Sequence, residues 1–394
     1  MLTHCHYATS VPGMRIQKCR RVTSLFPWTP HVFLPIFAAL IAGCGPATPP
    51  ADPLALASCP HVKPMHGLMP VLFTVGLLPR PTLATTIAPS DTSSSVVIRP
   101  DPSQQIKCAP NAVSTIDDVP FADPMLSGGK SKQLKLDILI PQPQKERPLV
   151  IYVTGGGFMQ APKESALDLR TYVAEAGFVV ASIQYRTDRD GATYTDGIAD
   201  VKSAIRYLRA NAKKYGIDPQ HIALWGESAG GYLVAMAGLT NGSRAFDAGE
   251  NLDQSSDVQA VVDKFGPSDV SRVASDFDAK AKADYTGANA VMHYVGQDIK
   301  TRANPLTYVS ASAPPFLIFH GSKDRLVSPS QTLLLHNALL AAGAHSTRYV
   351  LDGANHGDLA FLGDEKSGLP WSSKETMDII VGFLKKNLDA DQAT

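Results

Sequence analysis

The sequence predicts an α/β fold: a mainly parallel sheet with helices on both faces. Two observations carry this expectation. Apolar, β-branched runs recur through the chain with amphipathic stretches of helical period between them, and the two kinds take turns from about residue 117 to the end. In sheets of this kind ligands sit beyond the carboxyl ends of the strands, so residues that directly follow a strand are the first candidates for chemistry.

The first clear strand is LKLDILIP (134–141), with Leu134, Leu136, Ile138 and Ile140 at every second position, the pattern of a half-buried strand. The run PLVIYV ahead of Thr154 is apolar throughout and predicts a strand buried on both faces. A helical stretch near 163–176 and the strand FVVASIQYR (178–186) follow. Next is a long helix, about 194–215, in which Ile198, Val201, Ala204, Ile205 and Leu208 mark one face at spacings of three and four. The strand HIALWGES (221–228) leads into a helix from Ala229, and strands follow at 258–266 and 315–321. A helix over about 328–342, the strand TRYVLDG and a last helix KETMDIIVGFLKKNL complete the series, with no internal repeats.

A length of 394 residues fits one large domain with appendages. The 36 Lys and Arg residues balance the 36 Asp and Glu, which leaves no electrostatic footprint for nucleic acid and favours a neutral or mildly polar small molecule. Cys5, Cys19, Cys44, Cys59 and Cys108 all precede residue 109, which excludes thiol and zinc-thiolate chemistry from the domain that follows. Residues 1–44 read as an export signal, with Arg15, Lys18, Arg20 and Arg21 ahead of the apolar stretch VFLPIFAALIAG. That stretch is short and interrupted by Pro35, which suits a signal rather than a membrane-spanning helix. LIAGC at 40–44 resembles a bacterial lipoprotein cleavage box; it would make Cys44 a lipid attachment site and give the protein a membrane tether, the alternative being plain secretion with cleavage elsewhere. The expected location is outside the cytoplasm: periplasmic, anchored as a lipoprotein, or secreted. A second apolar stretch at 68–79 leaves open a start at Met65, and pairing of Cys59 with Cys108 is also left open. Residues 45–116 are rich in Pro, Ser, Thr and Ala without period, and are expected to be a disordered tether ahead of a catalytic domain at 117–394.

ALWGESAGGYLVAM (223–236) carries Gly-x-Ser-x-Gly between an apolar strand and an apolar helix. So sharp a turn is crowded, so its flanks must be small, and the Ser228 hydroxyl is left projecting beside a helix N-terminus as a candidate nucleophile. A serine needs a base, and with this motif the chain order is serine, acid, histidine. His336 falls inside a helix and His345 at the wrong end of a strand, whereas His356, in the loop after TRYVL, reaches the same edge as Ser228. The acid is expected at Asp324, just past the strand FLIFHG, in preference to Asp352 and Asp358 as loop-capping carboxylates.

Three glycines, Gly155 to Gly157, follow the apolar run behind Thr154. Attack on an ester carbonyl creates an oxyanion that needs fixed N–H donors. Backbone amides of Gly156, Gly157 and Ala229 are expected to supply them, and because they are backbone groups they do not depend on the side chain at 154.

LDILIP, TGGGF, DVKSAIRYLRANAKKYGIDPQHIALWGESAGG, HGSKDRLV and GANHGD together resemble the α/β-hydrolase superfamily, and within it the carboxylesterases related to hormone-sensitive lipase and to bacterial acetyl xylan and feruloyl esterases. The resemblance covers about 117–390. It implies a Ser228, Asp324, His356 triad, an oxyanion hole from Gly156, Gly157 and Ala229, and hydrolysis of short acyl esters through an acyl-enzyme with no metal or cofactor. A small-molecule ester is the implied substrate, with an acylated sugar and a simple alcohol ester both open. Thr154 departs from the histidine many relatives carry, and no N-terminal pair of cap helices is evident; residues 275–308 are the expected small lid, with Tyr285, Met292 and Tyr294 as either pocket lining or local packing. Rival readings are a peptidase of the same fold, a catalytically silent binding protein, and a surface lipoprotein with a structural role.

Overall fold

Strands with apolar residues on both faces need cover on both sides, and the chain supplies it. The computed structural model describes residues 57–60, 83–109, 111–286, 290–357 and 368–388. The segment 1–44 with Cys44, the apolar stretch 68–79 and Asp358 lie outside the described residues. The strands are β1 (Ala57–Ser58), β2 (Val96–Ile98), β3 (Lys107–Cys108), β4 (Val113–Ala122), β5 (Leu134–Pro141), β6 (Arg147–Val153), β7 (Val179–Ile183), β8 (Ile217–Glu227), β9 (Ala260–Lys264), β10 (Phe316–Gly321) and β11 (Ser346–Leu351). All but β1 and β3 form one sheet in the order β2-β11-β10-β9-β8-β6-β7-β5-β4. It is parallel from β2 to β7, with β5 and β4 antiparallel at one edge.

Among the described residues the helices of six residues or more are α1 (Leu167–Glu175), α2 (Tyr194–Ala210), α3 (Ala229–Leu239), α4 (Ala279–Thr286), α5 (Ala290–Val295), α6 (Ser330–Ala341) and α7 (Lys374–Leu388), and the expected helix to 215 breaks at Asn211 before a single turn Ala212–Tyr215. Successive residues of the central strands point to opposite layers. Leu149, Ile151, Val153 and Leu224 meet α2 and α3 on one face, while Val150, Tyr152 and Trp225 meet α1 and α7 on the other. In α2 the residues Ile198, Val201, Ala204, Ile205 and Leu208 are fully buried, as the period predicts, and a reciprocal box between Thr193 and Asp196 starts the helix. β5 departs from the half-buried expectation. Leu139 on its second face packs in the layer of α1, and Asp137 is buried in an ion pair with Lys163 at 2.8 Å.

The expectation of a disordered tether over 45–116 is corrected for its described part. β2 adds a ninth strand parallel to β11, Thr85 and Thr86 donate to the Asp278 carboxylate, and Ala84 is fully buried. β1 pairs antiparallel with β3, and Cys59 is disulfide-bonded to Cys108. The domain therefore begins well before residue 117. Composition hid this because the arm is ordered by hydrogen bonds to a distant sheet edge and not by a periodic face of its own.

The expected lid, 275–308, holds α4, α5 and the turns Gly296–Lys300 and Pro305–Tyr308. Tyr294 is packing and not pocket lining: it is fully buried and its hydroxyl donates to the Arg186 carbonyl at 3.1 Å. Tyr232 of α3 donates to the Ala303 carbonyl at 2.8 Å, which ties the segment to the helix behind the serine. The Tyr285 hydroxyl donates to the Leu326 carbonyl, beside Asp324.

Because the disulfide closes a long stretch of chain, replacing both cysteines by serine should lower stability by about 2–4 kcal/mol. Urea unfolding checks this: the midpoint should fall, and addition of reductant should lower the native protein to the same value while leaving the variant unmoved.

Candidate active site

Ser228 occupies the turn between β8 and α3 with φ 53° and ψ −119°, a left-handed backbone that a residue with a Cβ adopts only under constraint. Its N–H donates to the Lys264 carbonyl at 2.9 Å and its carbonyl accepts from Tyr232 N at 3.1 Å, starting the helix. The flanking glycines are required by space. A Cβ on Gly226 would lie 2.3 Å from the Gly230 carbonyl oxygen, and one on Gly230 would lie 2.0 Å from that of Val153. The strand and helix cross so closely that the serine is pushed out at the carboxyl edge of the sheet.

There the three residues singled out from sequence meet. Ser228 Oγ lies 2.8 Å from His356 Nε2, and His356 Nδ1 lies 2.7 Å from Asp324 Oδ2. Asp324 is fully buried; its Oδ1 accepts the N–H groups of Leu326 and Val327 at 2.9 Å each. Burial alone would raise its carboxyl, but the facing His356 and the hydrogen bonds from His320 and His356 outweigh it and hold the group well below the usual carboxylate range. Asp324 is therefore held in its ionised form. It fixes the His356 tautomer with the proton on Nδ1, so that Nε2 is free to accept from the serine hydroxyl.

The loops after β10 and β11 carry Asp324 and His356, and they are locked together. Asn355 Oδ1 accepts from Arg325 N at 3.1 Å and from His356 N at 2.8 Å, and Lys323 N donates to the Ala354 carbonyl at 2.9 Å. Gly321 permits this approach, since a Cβ there would be 2.4 Å from the Ala354 carbonyl oxygen. The Phe265 ring, on a backbone with φ 45°, lies 4.6 Å from the His356 ring and 4.7 Å from Trp371. Beside it Lys264, nearly fully buried, pairs with Glu227 at 2.6 Å and sits over the rings of Trp225, Phe265 and Trp371.

The glycine loop lies against the serine: a Cβ on Gly155 would be 3.1 Å from Ser228 Cβ. Gly156 has φ +145° and Gly157 φ +59°, and a Cβ on Gly156 would be 2.2 Å from the Gln160 carbonyl oxygen. Among the described residues no acceptor takes the N–H of Gly156 or Gly157. Ala229 opens α3, where the first N–H groups have no partner within the helix. Thr154 is buried and its hydroxyl turns back to the Gly155 carbonyl at 3.3 Å. Tyr185 supports the loop instead, with its hydroxyl 3.1 Å from the Thr154 carbonyl and 3.4 Å from that of Gln160. Phe158 anchors the far side, stacked on Tyr294 at 4.5 Å and edge-on to Tyr232 at 5.5 Å.

The residues set aside from sequence lie elsewhere. His336 is held by Ser346 Oγ and the Ser94 carbonyl, both at 2.8 Å, His345 is exposed, and Asp352 pairs with Arg99. Sequence reasoning missed His320, whose Nε2 lies 3.0 Å from Asp324 Oδ2. The available signal was its position four residues before the acid, at the end of the same apolar strand.

Residues 136–339 match the family model BD-FAE. Esterase LipQ of Mycobacterium tuberculosis is 32% identical over 222 residues, covering 55% of this chain and 52% of the relative. The chain spans about half the length of the curated relatives it matches. Among solved structures, a truncated carbohydrate esterase from gut microbiota aligns with a TM-score of 0.59 at 28% identity, over 71% of this chain and 98% of that one. Esterase 2 of Thermogutta terrifontis, phosphonylated by sarin, aligns with a TM-score of 0.55 at 27% identity, over 65% and 90%. Its butyrate-bound structure aligns with a TM-score of 0.54 at 27% identity, over 66% and 92%.

Asp263, behind α3, gives a pH signature separate from Ser228, His356 and Asp324. Burial pushes its carboxyl up to about 7, opposed by one hydrogen bond from Gly266 N. A carboxyl raised above its unfolded value near 3.9 favours the fold at low pH; that contribution is lost as pH rises from about 4 through 7. Asp263→Asn should therefore gain stability relative to the native protein at pH 8 and not at pH 4, read from urea midpoints at both pH values.

Proposed function

We propose that this chain, which belongs to the BD-FAE family and carries the α/β-hydrolase fold, is a serine carboxylesterase that hydrolyses short-chain acyl esters through an acyl-enzyme. The observation that carries the reading is the continuous hydrogen-bonded series Ser228, His356, Asp324, with spacings of 2.8 and 2.7 Å, beside a triple-glycine loop. In this reading His356 Nε2 takes the Ser228 proton as Oγ bonds to the acyl carbon, and the carbonyl π pair moves onto oxygen. The amides of Gly156, Gly157 and Ala229 hold that oxyanion. When the intermediate collapses, the bond to the alcohol oxygen breaks and the imidazolium returns its proton to the leaving oxygen. Water then enters by the same base, and the acid leaves as Ser228 regains its hydrogen.

Esterase names among the relatives support the reaction class. The butyrate-bound neighbour supports a short acyl group, and the carbohydrate esterase neighbour supports an acylated sugar as one alcohol partner. The sarin-treated neighbour supports a phosphonate-reactive nucleophile. Export belongs to the same proposal: the disulfide suits an oxidising compartment. A start at Met65 would deprive Cys108 of its partner, so processing near Cys44, with lipid attached there, is the version we favour. The mass of the processed protein from a membrane fraction would show the diacylglyceryl adduct, and an unmodified mature form would remove the tether.

Ser228→Ala should lower kcat on p-nitrophenyl acetate by about 10⁴-fold or more, and a fluorophosphonate probe should label the native protein at Ser228 alone. Wild-type turnover by that variant would end the proposal. Gly156→Ala should cost about 10²–10³ in kcat with labelling retained, because the forced loop movement withdraws donors without touching the hydroxyl. A panel of acetyl, butyryl and octanoyl esters on sugar and simple alcohols reads the preference, and fastest turnover of octanoyl esters would contradict the short-chain part.

A further inference from the structure

Asp324 serves two imidazoles, and the mechanism uses only one of them. His320, on β10, is fully buried. Its Nε2 lies 3.0 Å from Asp324 Oδ2 and 3.0 Å from the Val327 carbonyl oxygen. Both of these are acceptors, so Nε2 must carry a hydrogen. Its Nδ1 lies 2.9 Å from Thr332 Oγ1 on α6. That hydroxyl already accepts from Arg348 Nε at 3.0 Å, and Arg348, on β11, has no acceptor to offer in return. The Thr332 hydrogen is thereby directed to Nδ1; its other acceptor, the Pro329 carbonyl, is 3.5 Å away and is satisfied by Arg348 Nη2 at 2.8 Å. Burial pushes the His320 imidazolium down and outweighs the opposing pull of Asp324, with Arg348 acting in the same sense as burial.

We infer that His320 is a positioning residue for the triad: as a neutral Nε2–H tautomer fixed by Thr332 and Arg348, it donates to Asp324 and limits how strongly that carboxylate holds a charged His356. The inference rests on the reading of Ser228, His356 and Asp324 as the catalytic groups. With Leu326 N, Val327 N and His356 Nδ1 donating to it, and the His320 Nε2–H shared between its Oδ2 at 3.0 Å and the Val327 carbonyl, the carboxylate cannot turn away from the base. The series extends to the N-terminal arm, since Arg348 Nη1 donates to Ser95 Oγ at 2.8 Å. Among the described residues, the other charged or titratable groups acting on this cluster are Asp276, Asp91 and His336 on Arg348 and Tyr285 on Asp324.

His320→Leu removes the donor, and His320→Gln returns an N–H at the place of Nε2. Without the donor, Asp324 becomes a stronger acceptor for the imidazolium of His356. In His320→Leu, kcat/KM should fall about tenfold and the acid limb of its pH profile should move up by about one pH unit. His320→Gln should keep the wild-type limb. An unmoved limb in a folded Leu variant, or equal shifts in Leu and Gln, would overturn the inference and leave His320 a packing residue. A second measurement avoids both turnover and the Leu variant: ¹⁵N NMR of the imidazoles in Ser228→Ala protein, with His320 assigned by comparison with Ser228→Ala/His320→Gln. His320 should remain a neutral Nε2–H ring from about pH 5 to 9, and titration in that range or an Nδ1–H tautomer would refute the assignment. Because the NMR experiment needs no active serine, its failure is distinct from failure of the esterase reading, which Ser228→Ala kinetics test separately.

Discussion

The backbone turn at Ser228 is the constraint from which the rest of the site follows. A left-handed non-glycine residue costs on the order of 1–3 kcal/mol and persists only where its surroundings determine it. Here the surroundings are the Lys264 carbonyl, the first turn of α3 and three positions without side chains, Gly226, Gly230 and Gly231. Space is the reason at each: a Cβ on Gly231 would lie 2.4 Å from Asp263 Oδ1, as those on the other two would meet backbone oxygen. The helix is thus pressed onto the strands, and the hydroxyl projects where the parallel sheet ends.

Around that fixed point the other groups are arranged by loops that have little freedom. The Asp324 loop and the His356 loop share Asn355, approach each other over Gly321, and rest on the Phe265 and Trp371 rings. Asp324 meets donors on both oxygens, which makes its ionised form the low-energy one despite complete burial. Such saturation differs from a simple two-residue ion pair, because orientation and charge are set together.

The loop that begins at Thr154 illustrates the same economy of means. Its amides are backbone groups, and they are placed by glycine conformations, by the Tyr185 hydroxyl between two carbonyls and by Phe158 inserted between two tyrosines. A threonine at the head of the loop is accommodated because the loop is supported from behind. One of those two tyrosines, Tyr294, comes from the segment expected to be a lid, which links that segment to the glycine loop through packing.

The sequence by itself determined the alternation of strands and helices, the buried face of α2 and the three side chains, Ser228, Asp324 and His356, that meet at the sheet edge. Those features are encoded locally: a period, a run of apolar residues, a crowded turn that admits only small neighbours, a polar residue just past a strand. What only the tertiary structure decided is how distant pieces complete one another. The arm at 83–109 has no amphipathic period, and its order comes from the edge of β11, from Asp278 and from the bond between Cys59 and Cys108. His320 reads in sequence as one polar residue on a buried strand. Its tautomer depends on a hydroxyl from α6 and a guanidinium from β11, and hydrogen-bond direction across three elements leaves no trace in the spacing of any one of them.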